Sequence, residues 1–562
     1  MNELKDHQQS PKKLNIWLPL LLALVMVLGM FIGTRLQEAP VIRITSNDNT
    51  ERTIRYGEAG RVEELIRYIE GRYVDGVDRD ELVEKAINSV LGELDPHSTY
   101  ISSDQLKEVN EQLSGNFEGV GIEFLIVEDT ILVVTPIVGG PSEKAGVLAG
   151  DKIVQIEDSL VAGQDINTTG VIERLKGEAG TSVKMTVLRG QELHQFEVTR
   201  DKIPIYSVDI ASMLDEKTGY IKITRFSATT YKEFMQGVER MVEKEGMKDL
   251  VIDLRQNPGG YLNEATSILS QLFKEKDKLL VFTKGRTVDR NDSKSTGRSF
   301  FDIGKIVVLM DEGSASASEI LAGAVQDWDR GWIVGRRSFG KGLVQEQYDM
   351  SDGGALRLTV ARYYTPSGRS IQKPYLGVDN YDSDVVNRYK SGELLKGDST
   401  FHNSDTTVYK TEAGRLVYGG GGISPDVFVP LDTLVYNTDY ILLRQFAAPF
   451  SYRYTAKHPS EVLYKDLESF RKGFRVTDAM LEEYVAYAKE REAEVDLDNI
   501  MAIKRNVKTL LKARIARQFF GEEGFYAIWN GEDVMVQKAL DLIESGEFLV
   551  KGEELVAPQV QK

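Results

Sequence analysis

The chain of 562 residues contains no cysteine. That removes disulfide frameworks, thiolate metal sites and cysteine nucleophiles together, and it leaves the redox compartment open. Histidine is scarce: only His7, His97, His194, His402 and His458 occur. None lies in an HExxH pair and no two are close enough in sequence to point to a metal site, so the reading is no metal and no cofactor. GxSxG is missing too, and with it the signature of a Ser-His-Asp triad on a serine elbow. A basic excess is lacking: Lys plus Arg is 69 against 86 for Asp plus Glu, a formal net charge of −17. Such a chain is a poor nucleic-acid binder by bulk electrostatics. No internal repeat or long low-complexity tract is found.

What is present is ordinary for a folded body. Hydrophobic residues are 41% and charged residues 28%, which excludes disorder and a polytopic membrane protein as the main reading. At about 150 residues per domain the length predicts roughly three to four domains. One long uncharged run exists, LNIWLPLLLALVMVLGMFIGT over residues 14–34. About 20 such residues cross a hydrocarbon core. Lys12 and Lys13 precede it and Lys5 lies further out, which favours a cytoplasmic N-terminus (1–13) and an exported body. No small-x-small cleavage site follows, so the run reads as a retained anchor.

Beyond it, residues 38–58 read as a polar stalk. Residues 59–112 read as helical, with Val62, Leu65, Ile66 and Ile69 at helical spacing before LDPHSTY breaks the pattern. Residues 113–200 form a small β-rich module with two short helices. From 201 to 431 strands alternate with helices, and LVIDL, KIVVLM and WIVG each run into a glycine-containing loop. This predicts an α/β core, an open sheet with flanking helices whose site lies at the strands' carboxyl ends. Residues 377–408 read as a polar, strand-poor surface insertion, and residues 432–562 as a helical C-terminal region.

Three loops carry candidate chemistry. GSASASE (313–319) follows a strand and opens a helix, where free N–H groups are able to hold an oxyanion. The same segment is also what ordinary serine N-capping looks like. Lys341 in RRSFGKGLVQ sits between glycines and beside Phe339, Leu343 and Val344; burial would lower its pKa enough to make it a base, yet a surface lysine at a turn has the same sequence. GRRSFGKG (335–342) nearly spells a P-loop, but Gly342 replaces the hydroxyl residue that would hold Mg²⁺. His97, in the DPHS turn, reads as structural.

The combination of LDPHS, GVGIEF, GYIKI, DLRQNPGG, GSASASEILAGAVQD and SFGKGLVQ resembles the carboxyl-terminal processing proteases, the tail-specific S41 serine peptidases. The resemblance covers roughly residues 60–430, and the β-rich module is then similar to a PDZ domain. It implies that Ser316 is the nucleophile, Lys341 the general base and Gln345 the residue that assists the lysine. It also implies an oxyanion hole from the backbone N–H groups of Ala317 and of Gly259 or Gly260. GVGIEF would supply the carboxylate-binding loop from Gly119, Val120, Gly121, Ile122 and Phe124, taking protein substrates by apolar C-terminal tails. The implied enzyme is a serine endopeptidase held at the membrane by its anchor, its body periplasmic or otherwise extracytoplasmic. A catalytically inactive PDZ scaffold and a P-loop nucleotide binder stay open as alternatives. So does whether residues 432–562 pack on the core, self-associate or meet an adaptor protein.

Overall fold

A computed structural model describes residues 56–375, 381–396, 407–491 and 493–546, the strands at 43–45 and 51–53, and Ala23 and Met26. The uncharged run 14–34 lies, but for Ala23 and Met26, outside the described residues. Among the described residues no helix is long and apolar enough to cross a membrane. The chain divides into a unit over Met1–Val90 and one over Leu91–Lys562. In the first, β1 (Arg43–Thr45) pairs antiparallel with β2 (Glu51–Thr53), so the stretch expected as a stalk carries a strand pair. Helices α1 (Tyr56–Arg72) and α2 (Arg79–Gly92) follow.

The second unit opens with β3 (Thr99–Ile101) and α3 (Ser103–Ser114), then β4 (Asn116–Gly119). The β-rich module consists of β5 (Ile122–Val127), β6 (Thr130–Pro136), α4 (Pro141–Ala145), β7 (Lys152–Ile156), β8 (Ser159–Leu160), α5 (Thr168–Leu175), β9 (Ser182–Arg189) and β10 (Glu192–Thr199). Its strand order is β10-β9-β7-β6-β5, with β8 on β7, which leaves β5 at an edge. Along β9, Val183, Met185 and Val187 are buried and Ser182 and Lys184 exposed, the period-2 alternation of a half-buried strand. The exit strand β11 (Asp201–Pro204) pairs with the entry strand β4, so the module is an insertion whose two ends meet.

The core sheet runs β12 (Val208–Met213), β13 (Thr218–Ile223), β14 (Asp249–Asp253), β17 (Ile306–Met310), β18 (Trp332–Gly335), β23 (Val427–Phe428) in that order; all pairs but β12–β13 are parallel. Its central strands are apolar on both sides because both faces are covered. Helices α6 (Thr230–Glu245), α7 (Leu262–Leu272) and α8 (Ala317–Asp327) cover Ile221, Ile252, Val308 and Ile333. A second sheet has the order β16-β15-β20-β19, formed by β15 (Lys276–Gly285), β16 (Asn291–Thr296), β19 (Leu343–Asp349) and β20 (Ala355–Tyr364), with β3 added on β20.

The segment expected as a surface insertion carries α9 (Asp384–Ser391) and α10 (Glu393–Lys396), and it is not wholly at the surface. Arg388 is 1% exposed and donates to the carbonyl of Ser338 (2.8 Å), while Arg337 pairs with Glu393. These polar side chains are buried because they satisfy the carbonyls of the loop after β18, which a hydrocarbon could not. Strands β21 (Val408–Lys410) and β22 (Leu416–Tyr418) form a hairpin. Helices α11 (Thr438–Arg444), α12 (Ala447–Lys457), α13 (Leu467–Gly473), α14 (Asp478–Lys489), α15 (Leu497–Ala502) and α16 (Lys504–Trp529) bury a core of their own around Phe450, Phe470, Tyr484 and Leu511. The last helix, α17 (Val534–Ser545), covers the other face of the core sheet, where Met535, Val536 and Leu542 meet Val251, Val307 and Leu309. The helical region therefore packs on the core.

Candidate active site

Three loops at the carboxyl ends of β14, β17 and β18 bear the site. Ser316 is the last residue before α8 and has φ 55°, ψ −114°. A side chain with a Cβ is disfavoured there, at about 1–3 kcal/mol, so neighbouring contacts must hold it. One of them is Asn257, which is fully buried. Its Nδ2 donates to the Ile223 carbonyl (2.9 Å), and its own carbonyl accepts from the Ala315 N–H (2.9 Å) and the Ser318 hydroxyl (3.0 Å). The next turn leaves room only for glycine: at Gly259, with φ 99°, a Cβ would stand 2.7 Å from Ser316 Cβ. The Gly259 N–H is taken by Asn257 Oδ1 at 2.9 Å. Among the described residues no acceptor takes the N–H of Gly260 or of Ala317.

Glu319, on the first turn of α8, ties the serine loop to the lysine loop. Its Oε2 accepts from the N–H of Ser316 (2.8 Å) and of Lys341 (2.9 Å); its Oε1 accepts from the Ser338 hydroxyl (2.5 Å) and the Gly340 N–H (2.7 Å). Burial pushes this carboxyl up to about 7, against the pull of those four donors. The Tyr363 hydroxyl adds a second tie, donating to the Lys341 carbonyl and lying 3.1 Å from that of Ser316. Neither residue stands out as functional in the sequence. The signal for Glu319 was there, since Ser-x-x-Glu is a capping-box spacing.

Lys341 lies half-buried, and burial first, then the Arg357 guanidinium, lower its pKa; Asp95 and Glu319 oppose this. Its Nζ donates to Gln345 Oε1 at 3.0 Å. A bulge between Val344 and Gln345 in β19 re-aims the glutamine out of strict alternation. The Gln345 amide in turn donates to the carbonyl of His97. The DPHS turn that holds this carbonyl is built on Asp95, which accepts from the N–H of His97 (2.8 Å) and Ser98 (2.9 Å) and from the Ser98 and Thr359 hydroxyls (2.6 and 3.1 Å). The His97 ring bonds Tyr381 (2.9 Å), and burial lowers its pKa to about 4. Ser316 Oγ and Lys341 Nζ are not hydrogen-bonded to each other.

The fold thus gathers Ser316, Ala317, Lys341, Gln345, Gly259 and Gly260, all expected from the sequence, and adds His97 through its backbone. It overturns the P-loop alternative. The loop 335–342 follows a strand but leads into strand β19. A phosphate cradle needs a helix N-terminus there. The residues expected to bind a tail, Gly119, Val120, Gly121, Ile122 and Phe124, stand apart, in the β-rich module. The carbonyl of Val120 accepts from Ser142 and that of Gly121 from Ile137, whereas no acceptor among the described residues takes the N–H of either. Gly121 has φ 74°, and a Cβ there would meet Ile203 at 2.8 Å. Ile122 and Phe124 pack on the module's core.

Comparison with known proteins places these features. The model of Peptidase family S41 matches residues 217–381, and that of the PDZ domain residues 119–199. A family of unknown function matches residues 439–521. The carboxy-terminal-processing protease of Bartonella bacilliformis is 33% identical over 74% of this chain and 94% of its own. Carboxy-terminal processing protease CtpB of Bacillus subtilis is 36% identical over 56% of this chain and 65% of its own. A solved photosystem II D1 C-terminal processing protease is 27% identical, covering 67% of this chain and 94% of its own, with a TM-score of 0.34. Sequence identity that spans nearly the whole of a processing protease, on a chain with both matched domains, makes this chain a carboxy-terminal processing serine protease of family S41 that carries a PDZ domain.

Proposed function

We propose that the enzyme cleaves proteins selected by their C-terminal tails, with Ser316 as nucleophile and Lys341 as general base. The observation that carries this is the setting of Lys341, whose ammonium is destabilised by burial and held by a neutral amide, with no carboxylate among the described residues hydrogen-bonded to it. Such a lysine is neutral more often than a solvated one, and only the neutral amine takes a proton. Substrate entry brings Nζ and Oγ within reach; hydrogen bonds of this kind commonly tighten only in the substrate complex.

Neutral Lys341 takes the Ser316 proton as Oγ attacks the scissile carbonyl. The tetrahedral oxyanion is held by the N–H groups of Ala317 and Gly260, chosen over Gly259 because the Gly259 donor is already spent on Asn257. Lys341 then returns the proton to the leaving amine, and water hydrolyses the acyl-enzyme by the same route. Gln345 orients the amine without adding charge. The free N–H groups of Val120 and Gly121 take the tail's carboxylate, and the tail adds as a strand along β5. Residues 14–34 anchor the chain in a membrane with the body on the exported side.

The test is incubation of the full chain with proteins bearing free or amidated apolar tails, read by mass spectrometry. Cleavage of the free-tailed proteins, lost in Ser316→Ala and weakened by amidation, is the expected result. Equal cleavage of both would remove tail selection. Removal of residues 1–36 should give an active enzyme that stays monodisperse without detergent; a need for detergent would count against the anchor.

A further inference from the structure

Edge strand β5 of the PDZ domain has two different faces. Ile122, Phe124 and Ile126 pack on the domain's core, and Glu123 and Leu125 point the other way. The C-terminal helical region lies over that second face. Glu123 and Leu125 form one wall of a cleft of about 440 Å³, and Arg444, Tyr452, Arg514 and Arg517 are on the other.

The charges in this cleft do not cancel. Arg517 donates to Glu123 (2.6 Å) and to Glu522 (2.6 Å), so one guanidinium holds both carboxylates. Arg444 and Arg514 have no carboxylate partner among the described residues. Arg514 Nε is buried without a hydrogen-bond partner, its guanidinium 5.2 Å from the Phe525 ring. Three cations against two carboxylates leave a positive cleft on a chain whose net charge is −17. A buried guanidinium nitrogen with no acceptor costs stability unless a ligand supplies one.

We propose that this cleft is the second half of the tail site and takes acidic side chains at the second and fourth positions from a substrate's C-terminus. The inference rests on the tail-binding role of the PDZ domain given above. Side chains of an added strand alternate with period 2. If the last residue enters the apolar side with Ile122 and Phe124, the third from the end follows it. The second and fourth then face Glu123, Leu125 and the arginines beyond. Carboxylates there would receive the N–H groups of Arg444 and Arg514 in the fork geometry that guanidinium offers. The helical region, whose residues 439–521 match a family of unknown function, would thereby act as a specificity element.

The experiment measures fluorescence anisotropy of labelled tail peptides with full-length Ser316→Ala protein. The peptides share an apolar last residue and differ only in Glu or Gln at the second and fourth positions from the end. Each is made as free acid and as amide. The expected result is about tenfold tighter binding of the Glu peptide. Arg444→Gln with Arg514→Gln should erase that difference, and an unfolding transition like that of the parent protein reports an intact fold. Arg444→Lys with Arg514→Lys should keep part of it. Equal affinity for Glu and Gln peptides, with amidation still weakening both, overturns the inference and leaves the tail site standing. A Glu preference that survives the double substitution to Gln overturns it as well. Free acid and amide binding alike would overturn tail recognition itself.

Discussion

The side-chain amide of Gln345 donates to the backbone carbonyl of His97, a residue 248 positions earlier in the chain. Because Gln345 Oε1 accepts from Lys341 Nζ, the DPHS turn orients the glutamine, and through it the lysine. A backbone carbonyl fixes which end of the amide faces the ammonium: the NH₂ is drawn to the carbonyl, which leaves the oxygen for Lys341.

Lys341→Arg should be nearly as damaging as Ser316→Ala. Arginine keeps the positive charge and much of the length but does not deprotonate at any working pH. The expected loss is about 10²–10⁴-fold, the typical worth of general acid–base catalysis. The check is the cleavage rate of one tail-bearing substrate by folded variants; substantial activity in Lys341→Arg would rule out the lysine as base.

Gln345→Ala should cost less, since the glutamine exchanges no proton. Its signature is in the pH profile. Lys341 sits below its ordinary value, so the wild-type rate climbs with pH at lower pH than a solvated lysine would allow. A lower rate in Gln345→Ala together with a displaced rising limb supports orientation of the amine. An unmoved limb with an unchanged rate would remove Gln345 from the mechanism.

Glu319→Gln should lower activity at least tenfold and destabilise the fold. Four donors converge on this carboxylate, and an amide has one oxygen and an NH₂ that meets donors head-on. Each buried donor left unpaired costs about 1–3 kcal/mol. The folded carboxyl is raised from 4.5 to about 7, so folding favours its protonated form. That contribution is full below 4.5 and is lost as pH rises through 7. Denaturant unfolding of wild type and variant over this window checks it: the difference between them should shrink as pH climbs.

His97 carries the opposite sign. Its folded pKa is depressed from 6.5 to about 4, so the fold binds the neutral ring. The stability this adds is present above 6.5 and declines as pH falls to about 4. In His97→Phe the same unfolding measurement should lack that acid decline. Catalysis in this variant should stay within severalfold of wild type, because the His97 carbonyl, not its ring, meets Gln345. Loss as deep as Lys341→Arg would make the ring a direct participant.

Replacing residues 121–200 by a short linker should change which substrates are cut more than it changes the chemistry. Gly119 and Asp201 pair across β4 and β11, so the two cut ends already lie side by side. A deletion variant with the same preference for apolar tails as wild type would show that selection lies elsewhere.

Much of this enzyme was legible in the linear chain because its signals are local. The apolar runs LVIDL, KIVVLM and WIVG became β14, β17 and β18, since strands buried on both faces must be apolar throughout. Loops at the carboxyl ends of such strands gather sites, and there Ser316 and Lys341 lie. Other features depend on long-range closure, which leaves no periodic trace. Nothing in the spacing of DPHS says that its carbonyl will meet Gln345. The short polar segment 377–408 gave no sign that Arg388 would be buried under the Ser338 carbonyl. Gly259 and Gly260 are equivalent as letters; only the hydrogen bond from Gly259 to Asn257 separates them. The amphipathic patterns after residue 432 announced helices but not their partner. Burial needs a facing surface, and which surface that is, the core sheet for Val536 or the PDZ edge for Arg517, was decided by the tertiary structure alone.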